Sequence, residues 1–247
     1  MEQTALTRPQ FFFTTAPLPC PYLPDRLERK IVTELNGPKS EHLHEILATG
    51  GFRRSHSIAY APACPGCKAC VPVRVRVHEF KMRRSFARTW KRNSKITAHV
   101  VAARATTEQF ELFNEYQKSR HANSDMANMG FYEYSAMVED SPIDTYLIEY
   151  RSPTSELVAV CLTDQTQDGL SAVYSFFSAK PEYAGLGNFV VLWLIEHARA
   201  LTLPFVYLGY WIAESPKMAY KTRFKPLEAL GPDGWAPLES DDDATAP

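Results

Sequence analysis

Residues 188–201 read NFVVLWLIEHARAL, a run that is apolar nearly all round and follows a Gly-Leu-Gly turn. A helix without a polar face cannot lie on a surface, so this one must be buried between other elements. Its neighbours in sequence say which. Upstream lie three strand-like runs, residues 145–151, 157–163 and 170–178, parted by the turn signals RSPTSE and QTQDG. Downstream, Pro204 introduces FVYLGYWI, a final strand. With 45% of its 247 residues hydrophobic, the chain can bury a core of the size this arrangement needs.

The order strand, strand, strand, glycine-containing turn, helix, strand matches an α/β (α+β) domain of the acetyltransferase-like, or GNAT, type. The first half of the chain reads differently. Five prolines between Pro9 and Pro24 exclude a continuous helix, so the first 25 residues are expected to pack irregularly on the rest. Residues 25–35 predict a short helix, with Asp25 as N-cap and Leu27, Ile31, Val32 and Leu35 at helical spacing. A polar stretch covers residues 36–45. From Val71 the alternation is strict: Val73, Val75 and Val77 continue one face while Arg74, Arg76 and His78 take the other. Such a strand buries its valines and presents two arginines outward. Residues 82–92 predict a helix with Phe86 and Trp90 on one face and basic residues around much of the remainder. Thr106 or Thr107 can cap the next helix, which carries FELFNEYQKSRH. The expected organisation is an N-terminal region with the cysteines over residues 1–103, packed on a GNAT-like catalytic domain over 104–236. An acidic, disordered tail, residues 237–247, would follow. Strands on either side of Ala103 are able to join one sheet.

Charge narrows the class of partner. The formal net charge is only -1, yet residues 51–99 hold twelve Lys and Arg against a single acid, Glu79. Concentrated positive charge in a near-neutral protein points to a polyanion reaching one face, with an ordinary solvated surface as the competing reading. No run of about 18 apolar residues occurs, and MEQTALTRPQ lacks the pattern of a signal peptide. A cytoplasmic protein with no membrane association is therefore expected.

Four places could carry chemistry. Cys64, Cys67 and Cys70 fall at spacings that let thiolates share a metal ion, and Cys20 between two prolines is the candidate fourth ligand. Zinc or an iron–sulfur cluster would each suit four thiolates, whereas buried reduced cysteines would need no metal. The basic stretch supplies Arg74, Arg76, Arg83, Arg84, Arg88 and Arg92, whose planar forks suit phosphates or a carboxylate. Gly185 and Gly187 open the buried helix, where backbone N–H groups can face a phosphate or a carbonyl oxygen. A plain helix-entry turn would look the same. Finally, LGYWIAESPKMAYKTRFKPLE interleaves Tyr210, Lys217, Tyr220 and Lys221 with Trp and Met. That density at the end of a sheet strand suits a catalytic cleft better than a solvated lysine face.

The segments FFFTTAPLPCPYLPDRLERK, GFRRSHSIAYAPACPGCKACVPVRVRV, SFARTWKRN and YLGYWIAESPKMAYKTRFKPLE, in that order, resemble the aspartate/glutamate leucyltransferases, relatives of the arginyl-tRNA–protein transferases. The resemblance runs from about Phe11 to Glu228. It implies a GNAT-like enzyme that uses leucyl-tRNA in place of acetyl-CoA and passes leucine to proteins beginning with Asp or Glu. Its eukaryotic relatives carry N-terminal cysteines able to hold an iron–sulfur cluster; Cys20 and Cys70 lie in comparable contexts, but the eukaryotic paired-cysteine pattern is not reproduced here. An aminoacyl ester is already activated, so direct aminolysis requires no cofactor, and the enzyme has mainly to position a neutral amine. Two other functions compete: an acetyl-CoA-dependent N-acetyltransferase on the same fold, and a non-catalytic metal-knuckle RNA-binding protein.

Overall fold

Two sheets of unequal size share the strands of the protein, which a computed structural model describes over residues 9–122 and 124–238. The acidic tail expected at the C-terminus lies outside these residues from position 239 onward.

The smaller sheet is built from β1 (Phe13–Thr14), β4 (Lys30–Glu34), β5 (Arg53–Ser55) and β6 (Ile58–Pro62), in the order β1-β4-β6-β5. A hairpin of β2 (Leu18–Pro19) and β3 (Leu27–Glu28) stands beside it, and α1 (Ser40–Thr49) connects β4 to β5. The helix expected over residues 25–35 is thus replaced by strands. Asp25 sits at φ 57, a turn conformation, and β4 pairs with β1 on one side and β6 on the other. Ile31 and Val32 are β-branched and fit a ladder as well as a helix, so non-local pairing decides. Helix α1 begins within the stretch that reads as merely polar.

The larger sheet takes β7 (Val71–Arg76), β8 (Thr97–Ala102), β9 (Thr145–Arg151), β10 (Leu157–Gln165), β11 (Gly169–Phe177), β12 (Phe205–Trp211), β13 (Leu227–Gly231) and β14 (Gly234–Pro237). Their order is β14-β13-β7-β12-β11-β10-β9-β8. Strands from both sides of residue 103 therefore lie in one sheet. Every pair is antiparallel except β11 with β12, which α5 (Leu186–Ala200) joins by a crossover. An antiparallel run ending in one parallel step across a buried helix is the GNAT-like arrangement expected.

Both faces of this sheet are covered. On one, α5 and α2 (Arg84–Arg92) pack over Val73, Val75, Cys161, Leu170 and Val206. On the other, α3 (Thr107–Arg120) and α4 (Phe131–Glu139) cover Leu147, Val160, Leu162 and Phe176. Phe189, Val190, Leu192, Leu194 and Ile195 of α5 are all buried, as an all-round apolar helix requires. Helix α3 opens on a capping box: Thr106 Oγ1 accepts the Gln109 N–H at 3.2 Å, and Gln109 Oε1 accepts the Thr106 N–H at 3.0 Å. Among the described residues no helix is long and apolar enough to cross a membrane.

Candidate active site

The parallel step creates a gap. β11 and β12 pair only over Gly169–Phe205, Leu170–Val206 and Ser171–Tyr207, then separate. A bulge on each strand explains the separation. The β10–β11 register jumps between Leu162 and Thr163, leaving Val173 as an extra residue. The β12–β7 register jumps between Tyr207 and Gly209, leaving Leu208 extra, and Gly209 adopts φ 74. Bulges bend the strand that carries them and end its pairing.

Arg53, from β5 of the smaller sheet, enters this gap. Its Nη2 donates to the carbonyls of Ala172 at 2.7 Å and Val173 at 2.9 Å. In a regular strand successive carbonyls point to opposite edges; the extra residue lets both reach one nitrogen. On the facing strand, a Cβ at position 209 would stand 2.0 Å from Arg53 Nη1, so glycine is demanded by room as well as by φ. No carboxylate pairs with Arg53 among the described residues.

Lys221 lies beside it. The residues after β12 form a 3₁₀ helix, Pro216–Arg223, that carries Lys217, Tyr220 and Lys221 back over the gap. Lys221 is only 8% exposed, and its Nζ donates to the Tyr210 carbonyl. Burial first, and then the Arg53 charge, pull its ammonium down to about 7. An amine so placed is an available base at neutral pH. The mouth of the gap is aromatic. Tyr116 of α3 meets Phe177 with ring centroids 5.0 Å apart, and Gln117 Nε2 donates to Tyr174 Oη at 2.7 Å. His121 follows α3, its imidazole held below the ordinary value by burial and then by the charges of Lys217 and Arg120.

The expected site residues separate into three groups. Lys217, Tyr220 and Lys221 border the gap. Tyr210 does so only through its carbonyl, because its hydroxyl is buried and points to the carbonyls of Gly51 at 3.0 Å and Tyr60 at 3.2 Å. Burial raises that phenol well above its usual range. Arg83, Arg84, Arg88 and Arg92 form the second group, exposed on α2 and without acidic partners among the described residues. Helix α2 flanks the gap, since Phe86 stacks on Phe224 at 4.6 Å and Trp90 packs on Phe189 of α5 at 5.2 Å. Arg83 and Arg84 stand at the N-terminus of α2 with no acid in its first turn, where the helix dipole disfavours a cation. A surface that tolerates this is suited to an external anion.

The third group is a correction. Arg74, expected to face outward, is buried at 8% exposure. Its Nε donates to Glu228 at 2.7 Å, and its guanidinium lies 3.5 Å from the Phe205 ring and 4.3 Å from that of Trp235. Strand β7 runs between β12 and β13 in mid-sheet, so both of its edges are paired, and the rings of Phe205, Tyr207 and Trp235 cover the Arg74 side chain. Arg76 is more open but pairs with Glu79 and lies 3.6 Å from Glu228. The two glycines open α5 as the helix-entry turn read from the sequence, each in its own way. Gly185 caps α5 at φ 88, whereas Gly187 lies under the Phe177 ring, where a Cβ would come within 2.7 Å.

Cys20, Cys64, Cys67 and Cys70 gather around the β2–β3 hairpin. The Cys64 thiol accepts the Arg29 N–H at 3.3 Å, and Cys67 accepts Arg26 Nη1 at 3.3 Å. Burial, then the neighbouring thiols of Cys20, Cys64 and Cys67, push Cys70 up to about 11. Yet among the described residues no three His, Cys, Asp or Glu side chains are grouped so as to hold a metal ion. As arranged, the thiols do not fit zinc or a cluster. Cys161 is a core residue on β10, its thiol likewise raised to about 11 by burial.

Arg53 is the residue sequence reasoning missed. It sits in GFRRSHSIAY as one of many arginines, and its partners at positions 172, 173 and 209 are remote in the chain. No local pattern distinguishes it from Arg54.

Residues 18–88 match the N-terminal model, and residues 108–231 the C-terminal model, of the arginine-tRNA-protein transferases. The chain is 61% identical to an aspartate/glutamate leucyltransferase of Paramagnetospirillum magneticum, covering 95% of this chain and 96% of that one. Identity is 58% to the enzyme of that name from Rhodospirillum rubrum, again over 95% and 96% of the two chains. It is 55% to that of Gluconacetobacter diazotrophicus, over 98% and 93%. Among solved structures, the C-terminal domain of a putative lysylphosphatidylglycerol synthetase from Agrobacterium fabrum is a distant likeness, with TM-score 0.49 and 14% identity over 86% of this chain and 68% of that one. Matched from end to end at this identity, the chain belongs to the aspartate/glutamate leucyltransferases, within the arginine-tRNA-protein transferase family.

Proposed function

We propose that this protein takes leucine from leucyl-tRNA and joins it to the α-amino group of proteins whose first residue is Asp or Glu. Transfer proceeds by direct aminolysis in a complex of both substrates. The observation that carries the reading is Lys221, a buried amine near neutrality in the gap between β11 and β12, beside an arginine that has no acidic partner among the described residues. Lys221 Nζ accepts a proton from the acceptor's α-ammonium, whose own reference pKa of about 7.7–8.0 makes this a small step. The amine nitrogen then attacks the leucyl ester carbonyl. As the tetrahedral intermediate collapses, the bond to the ribose oxygen breaks and that oxygen takes the proton from Lys221, while the attacking nitrogen, cationic after addition, releases its surplus proton to solvent. An amide and a free tRNA end result, with no covalent enzyme intermediate and no cofactor.

The exposed arginines of α2 lie where the tRNA backbone can approach the gap, and a phosphate-rich ligand matches their sign. The chain thereby acts among charged tRNAs and nascent or processed N-termini, the setting of N-degron proteolysis in the cytoplasm. The test is transfer of labelled leucine from leucyl-tRNA to peptides beginning with Asp, Glu or Ala, with arginyl-tRNA and acetyl-CoA as parallel donors. Leucine should appear on the first two peptides alone. Acetyl transfer, or a trapped leucyl-enzyme, would overturn the reading.

A further inference from the structure

We infer that Arg53 reads the side-chain carboxylate of the acceptor's first residue, an inference that rests on the proposed transfer to acidic N-termini. Its guanidinium is anchored on one side only: Nη2 takes the carbonyls of Ala172 and Val173, while Nε and Nη1 have no acceptor among the described residues. Nη1 lies against the bare backbone of Gly209, so no side chain of β12 covers it. The groups around it are Tyr22, Tyr210, Tyr220, Cys161 and Lys221, none of them a carboxylate.

Cations within a protein are normally balanced, and an unbalanced one in a low-dielectric gap draws an anion. Before attack, and so before any oxyanion forms, the two substrates bring only one anion to the reacting centre. The leucyl end of the tRNA carries an apolar side chain and an amine, and the terminal ribose is uncharged. The phosphates belong to the nucleic-acid backbone, for which the exposed face of α2 is suited. The acceptor's own α-amino group must be neutral to react. What remains is the Asp or Glu side chain, one or two methylenes from the attacking nitrogen, and a planar fork suits it.

The arrangement links recognition to reaction. Arg53 is one of the two causes that keep the Lys221 amine unprotonated, the other being burial. A carboxylate bound to Arg53 cancels its charge, so Lys221 takes the α-ammonium proton more readily when an acidic residue is in place. A peptide beginning with Asn fills the same space without that effect. Discrimination should therefore fall on kcat as well as on KM.

The test is steady-state transfer by the full chain, with leucyl-tRNA and peptides beginning with Asp, Glu, Asn or Gln. In Arg53→Gln the preference for Asp over Asn in kcat/KM should fall by about 30-fold or more, since a charge-assisted pair is lost. The KM for leucyl-tRNA should move by less than about 3-fold, as α2 faces the phosphates. Arg53→Lys keeps the charge without the fork, so it should lose part of the preference and serves if the Gln variant fails to fold. An undiminished Asp-over-Asn preference in either folded variant overturns the assignment. If the wild-type chain itself moves no leucine to an Asp-initiated peptide, the proposed function fails first, and the two failures are distinct.

Discussion

Arg53 and Arg54 are consecutive on β5, so their side chains leave opposite faces of the strand and enter different surroundings. Arg54 meets Asp164 in a two-point pair, Nε and Nη2 each 2.8 Å from a carboxylate oxygen. Thr145 donates to the same carboxylate at 2.8 Å, and His44 stands 4.0 Å away. Burial, and then Arg54, keep that imidazole below its ordinary value in spite of Asp164. The result is a closed cluster that ties the smaller sheet to the end of β10. Arg53, one residue earlier, has two carbonyls and, among the described residues, no acid. Identical side chains on one short strand thus serve attachment on one face and, on the inference drawn above, ligand capture on the other. What separates them is whether the counter-ion is supplied by the chain.

Removing a partner should show the difference at its largest. Arg54→Ala leaves Asp164 buried and uncompensated, and should lower stability by about 3–5 kcal/mol. Arg53→Gln strands no carboxylate, only the Ala172 and Val173 carbonyls, and should cost a smaller amount, about 1–2 kcal/mol. Urea unfolding of the two variants measures both. Equal losses would erase the distinction between attachment and capture.

Lys221 sharpens the same contrast, since it is a buried amine with no acidic partner among the described residues. Lys221→Met should reduce transfer by about 10²–10⁴-fold, the usual worth of a positioned base. It should also alter the dependence of stability on pH. The folded pKa near 7 lies below the unfolded value of about 10.4, so between them the unfolded chain binds more protons. Wild-type stability therefore rises with pH across that window, at up to about 1.4 kcal/mol per unit, and is lowest below pH 7. The Met variant should lack this slope. Parallel curves for the two proteins from pH 7 to 9.5 would remove Lys221 as a neutral amine.

The elements that can be read directly are those whose signal is local. The three strands before α5, α5 itself and β12 follow from alternation, length and turn residues, and the Thr106 cap from its own side chain. The elements that mislead share one cause. Residues 27–34 carry a periodicity that a helix and a strand both satisfy, and only pairing with β1 and β6 chooses. Arg74 alternates as a surface residue would, yet β12, β13 and Trp235 come from far along the chain to cover it. Lys221 stands out because Tyr, Lys and Met crowd around it in sequence. Arg53 owes its role to two bulges, at Val173 and Leu208, that nothing nearby announces.

The arginines of α2 should give smaller effects than those of β5, because they are exposed and screened. Replacing Arg83 or Arg88 by Ala should weaken leucyl-tRNA use a few-fold at low salt, and reduce the slope of log affinity against log salt by about 1 for each phosphate left without its arginine. The Asp-over-Asn preference should be unchanged. A fallen preference with an unaltered salt slope would mean that α2, rather than Arg53, meets the acidic side chain.

The smallest expected effect concerns Gly187, where stability and activity should part company. Alanine favours a helix over glycine by about 1 kcal/mol, and position 187 lies in the first turn of α5. Against this, the added Cβ would stand 2.7 Å from Phe177 Cζ and 2.8 Å from Cε1, so the ring must move. Overpacking of this kind costs about 1–3 kcal/mol where nothing yields. Phe177 does have room to yield, because it borders the mouth of the gap, against Tyr116 at 5.0 Å and under Arg120 at 5.9 Å. The two contributions should nearly cancel in unfolding measurements, leaving Gly187→Ala within about 1 kcal/mol of wild type. The displaced ring, however, narrows the entrance through which both substrates reach Lys221, and kcat/KM should fall by several-fold. A loss of stability with an unchanged rate would mean that Phe177 only packs against the helix, and that the entrance lies elsewhere along β12.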